Sequence, residues 1–497
     1  MKNIIISLLF YMILMLTFAS HTPNASANAQ NNSANAQNNS ANAQNYGANA
    51  KANSNANIGE KIKAKTPAKP IISEQFNLKN GLQIVVVPQP NASAVTHMLL
   101  INAGAADDKL GSSGVAHYLE HLLFKGTKLV AEGDYSRIID GLGGEHNAFT
   151  TSDITGYYVT IAPKYLPKIM ELEADRMQNY APSKTAYAKE KEVIIEERRM
   201  RTDNNPSALL GEAMEAAMFR HHPYGTPIIG WEHEMQQLGE AQASAFFKQY
   251  YNPTNATLLL VGDIDADKAQ KLAQKYYGSW QAGAKNQRNW VKDPPRNTKD
   301  LLLMRNVNVS QPKMVVSYLA PSFSKAFSKA FATSSSHELV YSLLLAEELL
   351  GNERTGVLYQ KLVKQQKLAS NINISYYPFS LGDSSFNITA IPRDGVDLPQ
   401  LQTALTAEIN AFLAAEIDER ALQRAKNQAK AQTIYAQDNL QGMSFLLATL
   451  HMVELPISWF NDYPTNIAKI NQGQIKAALK EIINDDISVT GYLLPKK

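Results

Sequence analysis

Past residue 73 the chain runs through one order of secondary-structure elements and then runs through it again, and this repetition restricts the fold more than any single motif does. In the first pass, "LQIVVVPQP" (Leu82–Pro90) and "AVTHMLLINAG" (Ala94–Gly104) are β-branched runs closed by Pro or Gly, as strands are. A helix spans the apolar stretch "GVAHYLEHLLFKGT" (Gly114–Thr127). A short helix, "GDYSRIIDGLGG", stops on glycines, and "HNAFTTSDITGYYVTIA" reads as two short strands or a hairpin. Pro163–Asn179 opens on proline and spaces its apolar residues near 3.6, and a further helix runs from about Lys184 to Arg201. "NATLLLVGDIDADKAQKLAQKYYGSW" then reads as strand, turn and helix. After the polar, proline-bearing "NWVKDPPRNTKD" (Asn289–Asp300) the order returns: strands "DLLLMRN" and "KMVVSYLAP", helices "SSSHELVYSLLLAEELLGN" and "VLYQKLVKQQKLA", strands "SNINISYYPF" and "SSFNITAIP", helices from Asp397 to Ile482, and a closing strand "DISVTGYLLP". Two halves of about 200 residues each are domain-sized. The predicted class is α+β, two similar duplicated α/β domains with mixed or antiparallel sheets covered by helices. The first spans residues 73–290, a linker 291–300, and the second 301–497.

The N-terminus carries other signals. Lys2 precedes an apolar run, Ile4–Phe18, and "TFASH" and "NASANA" offer small-residue cleavage sites. This predicts a signal peptide over residues 1–20, a periplasmic location and no stable membrane span after cleavage. In Asn31–Asn57 the unit NNSANAQ repeats every seven residues with no large apolar position, so it is no coiled-coil heptad. Residues 21–72 are predicted to be a disordered tether, because Asn, Ala, Ser and Gln bury too little surface to offset chain entropy. The net charge of +3 gives no concentrated basic face, so nucleic acid is not expected as a partner. Absence of cysteine excludes disulfides, thiolate zinc sites, iron–sulfur clusters and cysteine nucleophiles, leaving His, Asp and Glu to hold any metal.

His117, Glu120 and His121 lie in the Gly114–Thr127 helix, in a chain with only ten histidines. Positions i and i+4 share a helix face, so two imidazoles can grip one ion, with Glu120 beside them in H-x-x-E-H order. The second half's counterpart helix lacks the paired histidines. A catalytic zinc usually takes three protein ligands and leaves room for water. "AKEKEVIIEERRM" (Ala188–Met200) offers a third: Glu190 and Glu197 are two turns apart and share a face, which Val193 and Ile194 are expected to bury in part, while Glu192 and Glu196 point elsewhere. "GLGG" (Gly141–Gly144) lacks the following Lys and Ser/Thr of a phosphate loop.

The H-x-x-E-H motif, a glutamate 76 positions on, and the ordered motifs "HYLEHLLFKGT", "GGEHNAFTTSDITGYY", "MELEADRM" and "EKEVIIEERRM" together resemble the pitrilysin/insulinase-type inverted zinc metallopeptidases, most closely the mitochondrial processing peptidase and its short bacterial relatives. The resemblance covers residues 73–497. It implies paired halves closing like a clamshell around a peptide, with 73–290 catalytic and 301–497 an inactive duplicate. It implies one Zn2+ per chain on His117, His121 and Glu197, Glu120 as general base, and Glu190 as the catalytic-site glutamate that backs the ligands. Zinc lowers the pKa of bound water toward ~7, and a nearby carboxylate can take its proton. Glu145–Thr150 matches the family's substrate strand, with Asn147, Ala148 and Phe149 as the peptide-binding strip. One departure stands out. Many active members carry Arg and Tyr seven residues apart in the second half, and Val363 and Ser370 occupy those places here. The expected partner is therefore a zinc-less family member supplying that pair, in a heterodimer, or else a second copy in a homodimer. The expected function is a secreted zinc endopeptidase acting on oligopeptides or unfolded polypeptide segments. The alternatives are a non-catalytic assembly subunit and a processing peptidase for one secreted peptide.

Overall fold

The computed structural model describes residues 70–324 and 336–496. The expected signal peptide and nearly all of the expected tether lie outside these residues. The tether's last residues do not: Ile71 is buried, and its N–H and C=O both bond Asn461, at 2.9 and 3.3 Å.

Among the described residues, eleven strands form two sheets. The first contains β1 (Glu74–Asn77), β2 (Gln83–Pro88), β3 (Val95–Ile101), β4 (Glu145–Thr150), β5 (Thr155–Ile161) and β6 (Ala256–Gly262), in the order β1-β2-β6-β3-β5-β4. The second contains β7 (Asp300–Asn306), β8 (Lys313–Ala320), β9 (Ala369–Tyr376), β10 (Ser384–Pro392) and β11 (Val489–Pro495), in the order β7-β11-β8-β10-β9. The repetition holds strand for strand. In each half the last strand returns parallel to the strand that opens the repeat (β6 beside β2, β11 beside β7), and the other pairings are antiparallel. Among the described residues, β1 alone has no counterpart.

The first half also holds helices α1 (Val115–Leu122), α2 (Asp134–Gly141), α3 (Leu166–Gln178), α4 (Lys184–Arg198), α5 (Pro206–Met218), α6 (Glu232–Met235), α7 (Glu240–Tyr250) and α8 (Ala266–Tyr277). The second holds α9 (Ser336–Gly351), α10 (Leu398–Ala414), α11 (Glu419–Ala436), α12 (Leu440–Met452), α13 (Ile457–Lys469) and α14 (Gln472–Ile482). Among the described residues no single helix is long and apolar enough to cross a membrane.

Strands β3 and β6 are buried on both faces, which is why they read as unbroken apolar runs. Leu99, Ile101, Leu258 and Leu260 face the first half's own helices. Met98, Leu100, Leu259 and Val261 face the second half, where Phe445 of α12 packs at 5.5 Å from Phe149 and 5.1 Å from Tyr158. The exchange is reciprocal: α5 lays Leu210, Met214 and Met218 on Val489 and Leu493 of β11. Both exchanged helices start on an asparagine N-cap, Asn205 and Asn439.

A polar clamp joins the same surfaces. Asp153, in the β4–β5 turn, accepts from the Tyr224 hydroxyl at 2.7 Å and from the Leu381 N–H of the second half at 3.1 Å. The Gly382 N–H donates to the Tyr224 oxygen at 2.9 Å. A Cβ at Gly382 would sit 2.9 Å from a Tyr224 ring carbon and 3.0 Å from His222, so only glycine allows this approach.

Two local expectations change. "VLYQKLVKQQKLA" forms a wider π-type helix, Tyr359–Gln365, with Gln366 N–H bonded to Lys361 O five residues back. The expected linker ends inside a strand, since Asp300 opens β7 and its carboxylate is gripped by Arg220 and Arg296.

His451 of α12 bonds Asn102 Oδ1 across the halves at 3.0 Å, and burial, with Lys285 adding to it, lowers its pKa from 6.5 to about 4. Below pH 6.5 the unfolded chain takes up a proton that the folded chain refuses, so stability present above 6.5 is lost as pH falls toward 4. The thermal unfolding midpoint of the wild type should fall more steeply across that window than that of His451→Gln. Parallel curves would show that His451 does not carry the linkage.

Candidate metal centre and active site

The site is built on α1. Its N-terminus is set by Gly114, whose φ of 84° is left-handed, and where a Cβ would lie 2.4 Å from Ile229 O. The Asp108 carboxylate accepts the N–H groups of Gly114 at 2.6 Å and Ala116 at 3.1 Å, completing the first turn from outside. Val115, Ala116, Leu119 and Leu122 enter the core. Tyr118 reaches α4 and donates its hydroxyl to Tyr187 O at 2.5 Å. His117, Glu120 and His121 are left facing α4 and β4, with His117 and Glu120 each only 8% exposed.

Helix α4 is N-capped by Ser183. Its buried stripe runs through Ala186, Tyr187, Glu190, Ile194, Ile195 and Arg198. Val193 does not share that stripe, contrary to expectation, and is 45% exposed. At 3.6 residues per turn it lies about 60° to one side of Glu190, away from the direction in which Ile194 and Ile195 point. Glu192 and Glu196 are exposed, as expected, and Glu196 pairs with Arg199 at 2.5 Å.

Glu197 meets both rings. Its Oε1 is 3.7 Å from His117 Nε2 and its Oε2 is 3.4 Å from His121 Nε2, and one donor atom from each of the three residues lies within 4.8 Å of the others. Two donors ~2.1 Å from a tetrahedral zinc are separated by ~3.4 Å, so the set matches that ion in spacing as well as in chemistry. The supporting contacts agree. His121 Nδ1 is 2.8 Å from Glu190 Oε1, so the ring donates there and turns the Nε2 lone pair toward Glu197. Lys125 Nζ holds the other Glu190 oxygen at 2.7 Å. Burial works against the Glu190 charge, but His121 and Lys125 outweigh it and hold the carboxyl below its ordinary value. Burial likewise opposes a proton on His121, yet the Glu190 bond and the charge of Glu197 raise its pKa. His117 is pushed well down by burial, then by His121 and Arg201, and its Nδ1 is buried without a hydrogen-bond partner. Glu120 is pushed up by burial, and its Oε2 receives the Thr150 hydroxyl at 2.5 Å.

The three peptide-strip residues lie on β4, one of the two edge strands of the first sheet. Asn147 is half-buried, and its side-chain oxygen takes the Ala148 N–H at 2.9 Å. Ala148 is buried, and the Phe149 ring is packed on Phe445 rather than left open. Val363 is buried in the second core, and the Ser370 hydroxyl bonds Ile391 O and Pro392 O. Three contacts escaped the sequence reading. Lys125 on Glu190 and Arg201 on Glu197 each sit four residues beyond a residue of the set, a spacing that could have flagged them. Thr150 on Glu120 depends on how the hairpin packs on α1, and no local pattern reports that.

The insulinase family model (peptidase family M16) matches residues 83–232, and the model of the peptidase M16 inactive domain matches residues 238–429, together more than half of the chain. The chain belongs to peptidase family M16. Among its relatives, the zinc protease PqqE of Helicobacter pylori is 28% identical over 429 residues, which is 85% of this chain and 93% of the relative. A zinc protease of Rickettsia bellii is 26% identical over 374 residues, 74% of this chain and 85% of the relative. The crystal structure of a Helicobacter pylori protease superposes with a TM-score of 0.78 at 26% identity, covering 86% of this chain and all of that one. Pitrilysin, at 18% identity and a TM-score of 0.68, shares the fold; 88% of this M16 chain matches 46% of that longer one. The predicted α+β fold of a clamshell half is thus the fold observed, and M16 membership supports a protease activity.

Glu190→Gln keeps an acceptor for His121 but loses the charge that Lys125 neutralises. Zinc affinity, titrated against a competing chelator, should fall about 10- to 100-fold with circular dichroism unchanged. Unaltered affinity would count Glu190 out as a support of the ligand set.

Proposed function

We propose that this M16 chain is a secreted zinc endopeptidase that cleaves oligopeptides or unfolded segments. The carrying observation is the meeting of His117, His121 and Glu197 from two helices, with Glu120 beside them on the same helix as the histidines. A zinc ion held there would acidify a water and polarise a peptide carbonyl. The chain's own residues supply the rest. Glu190 and Lys125 fix His121. Glu120 is placed to take a proton from the attacking water and hand it to the departing amine. An extended peptide can add to the β4 edge through main-chain bonds, displacing Asn147 from the Ala148 N–H, which favours segments without fixed structure of their own.

Two further parts of this reading rest on sequence. Lys2 and the apolar Ile4–Phe18 run support export to the periplasm. Val363 and Ser370, standing where other members place Arg and Tyr, support a second family member closing over the site, zinc-less in a heterodimer or identical in a homodimer. That pitrilysin is about twice as long as the region matched is consistent with two such units acting together.

Glu120→Gln should retain one zinc per chain and lose peptide hydrolysis by a factor on the order of 100 to 10,000, whereas His117→Ala should lose both metal and activity. Undiminished cleavage by Glu120→Gln would remove that residue from the chemistry. Sedimentation with parallel assay tests the partner: a lone monomer cleaving at full rate would overturn it.

A further inference from the structure

We propose that Thr150 is a positioning residue that holds the Glu120 carboxylate in its working orientation; this rests on Glu120 being the proton carrier. Glu120 differs from the neighbouring carboxylates in its support. Glu190 is gripped by Lys125 and His121, and Glu197 by Arg201 and the two imidazoles. Among the described residues the side-chain donor on Glu120 is the Thr150 hydroxyl at 2.5 Å. A glutamate side chain has three rotatable bonds and loses substantial entropy when fixed. One bond to Oε2 removes much of that freedom and leaves Oε1 free to take a proton.

The hydroxyl is itself a fixed point. Thr150 is 8% exposed and ends β4, in register opposite Thr155 of β5. The next residues close the turn: Thr151 N–H bonds Ile154 O at 2.8 Å, and Thr151 Oγ1 accepts the N–H groups of Asp153 at 3.1 Å and Ile154 at 2.9 Å. Asp153 is then held by Tyr224 and by Leu381 of the second half. Thr150 is therefore set by the hairpin and by the clamp between halves. Its strand is also the edge to which a peptide would add, so substrate docking and base orientation share one element.

The test compares Thr150→Val, which keeps shape and β-branching, with Thr150→Ser, which keeps the hydroxyl. Zinc content, KM, kcat and the affinity of an intact fluorescent peptide for the Glu120→Gln background are measured. Thr150→Val should hold its zinc and keep KM within about twofold, while kcat falls about 10- to 100-fold and Thr150→Ser stays near wild type. In the Glu120→Gln background, Thr150→Val should alter neither peptide affinity nor residual rate, because the group it orients is gone. An unchanged kcat in Thr150→Val, a serine variant as slow as valine, or lost peptide affinity in the Glu120→Gln background would each overturn the proposal. If Glu120→Gln itself cleaves normally, the reading of Glu120 fails first; if Glu120→Gln is inactive and Thr150→Val is unimpaired, only the role of Thr150 falls.

Discussion

Helices α1 and α4 meet through the Glu190 carboxylate, 4% exposed, with one oxygen on His121 and the other on Lys125. A buried carboxylate without partners is expensive, and removing one partner from a buried pair is strongly destabilising. This one is satisfied at both oxygens, by His121 of the facing helix and by Lys125 of the turn that follows it. With Tyr118 bonded to Tyr187 O one turn earlier, the contact fixes the axial register of the two helices. Two turns further along α4, Glu197 then falls between the two imidazoles. A slip of one residue would rotate Glu197 by about 100° and dissolve the set.

The second half carries no such set among its described residues, yet the first half is not complete without it. Met98, Leu100, Leu259 and Val261 are at most 1% exposed on the face that meets the second half. Removing α12 would bare that face of the first sheet to water, with Phe149 and Tyr158 losing the Phe445 ring. The reciprocal seat of α5 on β11 makes the dependence mutual. The second half thus serves as structure: it buries a sheet face and, through Leu381 and Gly382, holds the turn that follows strand β4.

The sequence displayed whatever repeats at short range. Strands appeared as β-branched runs, and β7 spans the same residues as the "DLLLMRN" run. The His117/His121 pair followed from the helical period, but Glu197 over Glu190 needed the family resemblance, since both glutamates share one face. What stayed hidden has its cause in longer separations. Thr150 and Glu120 are 30 residues apart, and Asp153 and the Leu381 N–H are 228 apart; no periodicity carries such pairings. Val193 was misjudged for a different reason. The period gives a residue's angle on a helix, while the width of the buried stripe depends on what packs there. The π-type segment at Tyr359–Gln365 is another case, since an α-pattern cannot announce that its turns have widened.

The three carboxylates at the centre can be told apart by the donors they face. Glu190 sits between a lysine and a histidine, so its charge is fixed and it orients rather than reacts. Glu197 has the imidazole nitrogens in front and Arg201 behind, the arrangement expected of an anionic ligand. Glu120 is bonded by a neutral hydroxyl, and burial raises its proton affinity where its neighbour Glu190 has its own lowered. The proposed proton carrier is thus the one of the three whose bonded side-chain donor is uncharged. The three identical side chains are therefore distinguished by partners drawn from helices α1 and α4, from the turns that follow them, and from strand β4, with the second half bracing the strand.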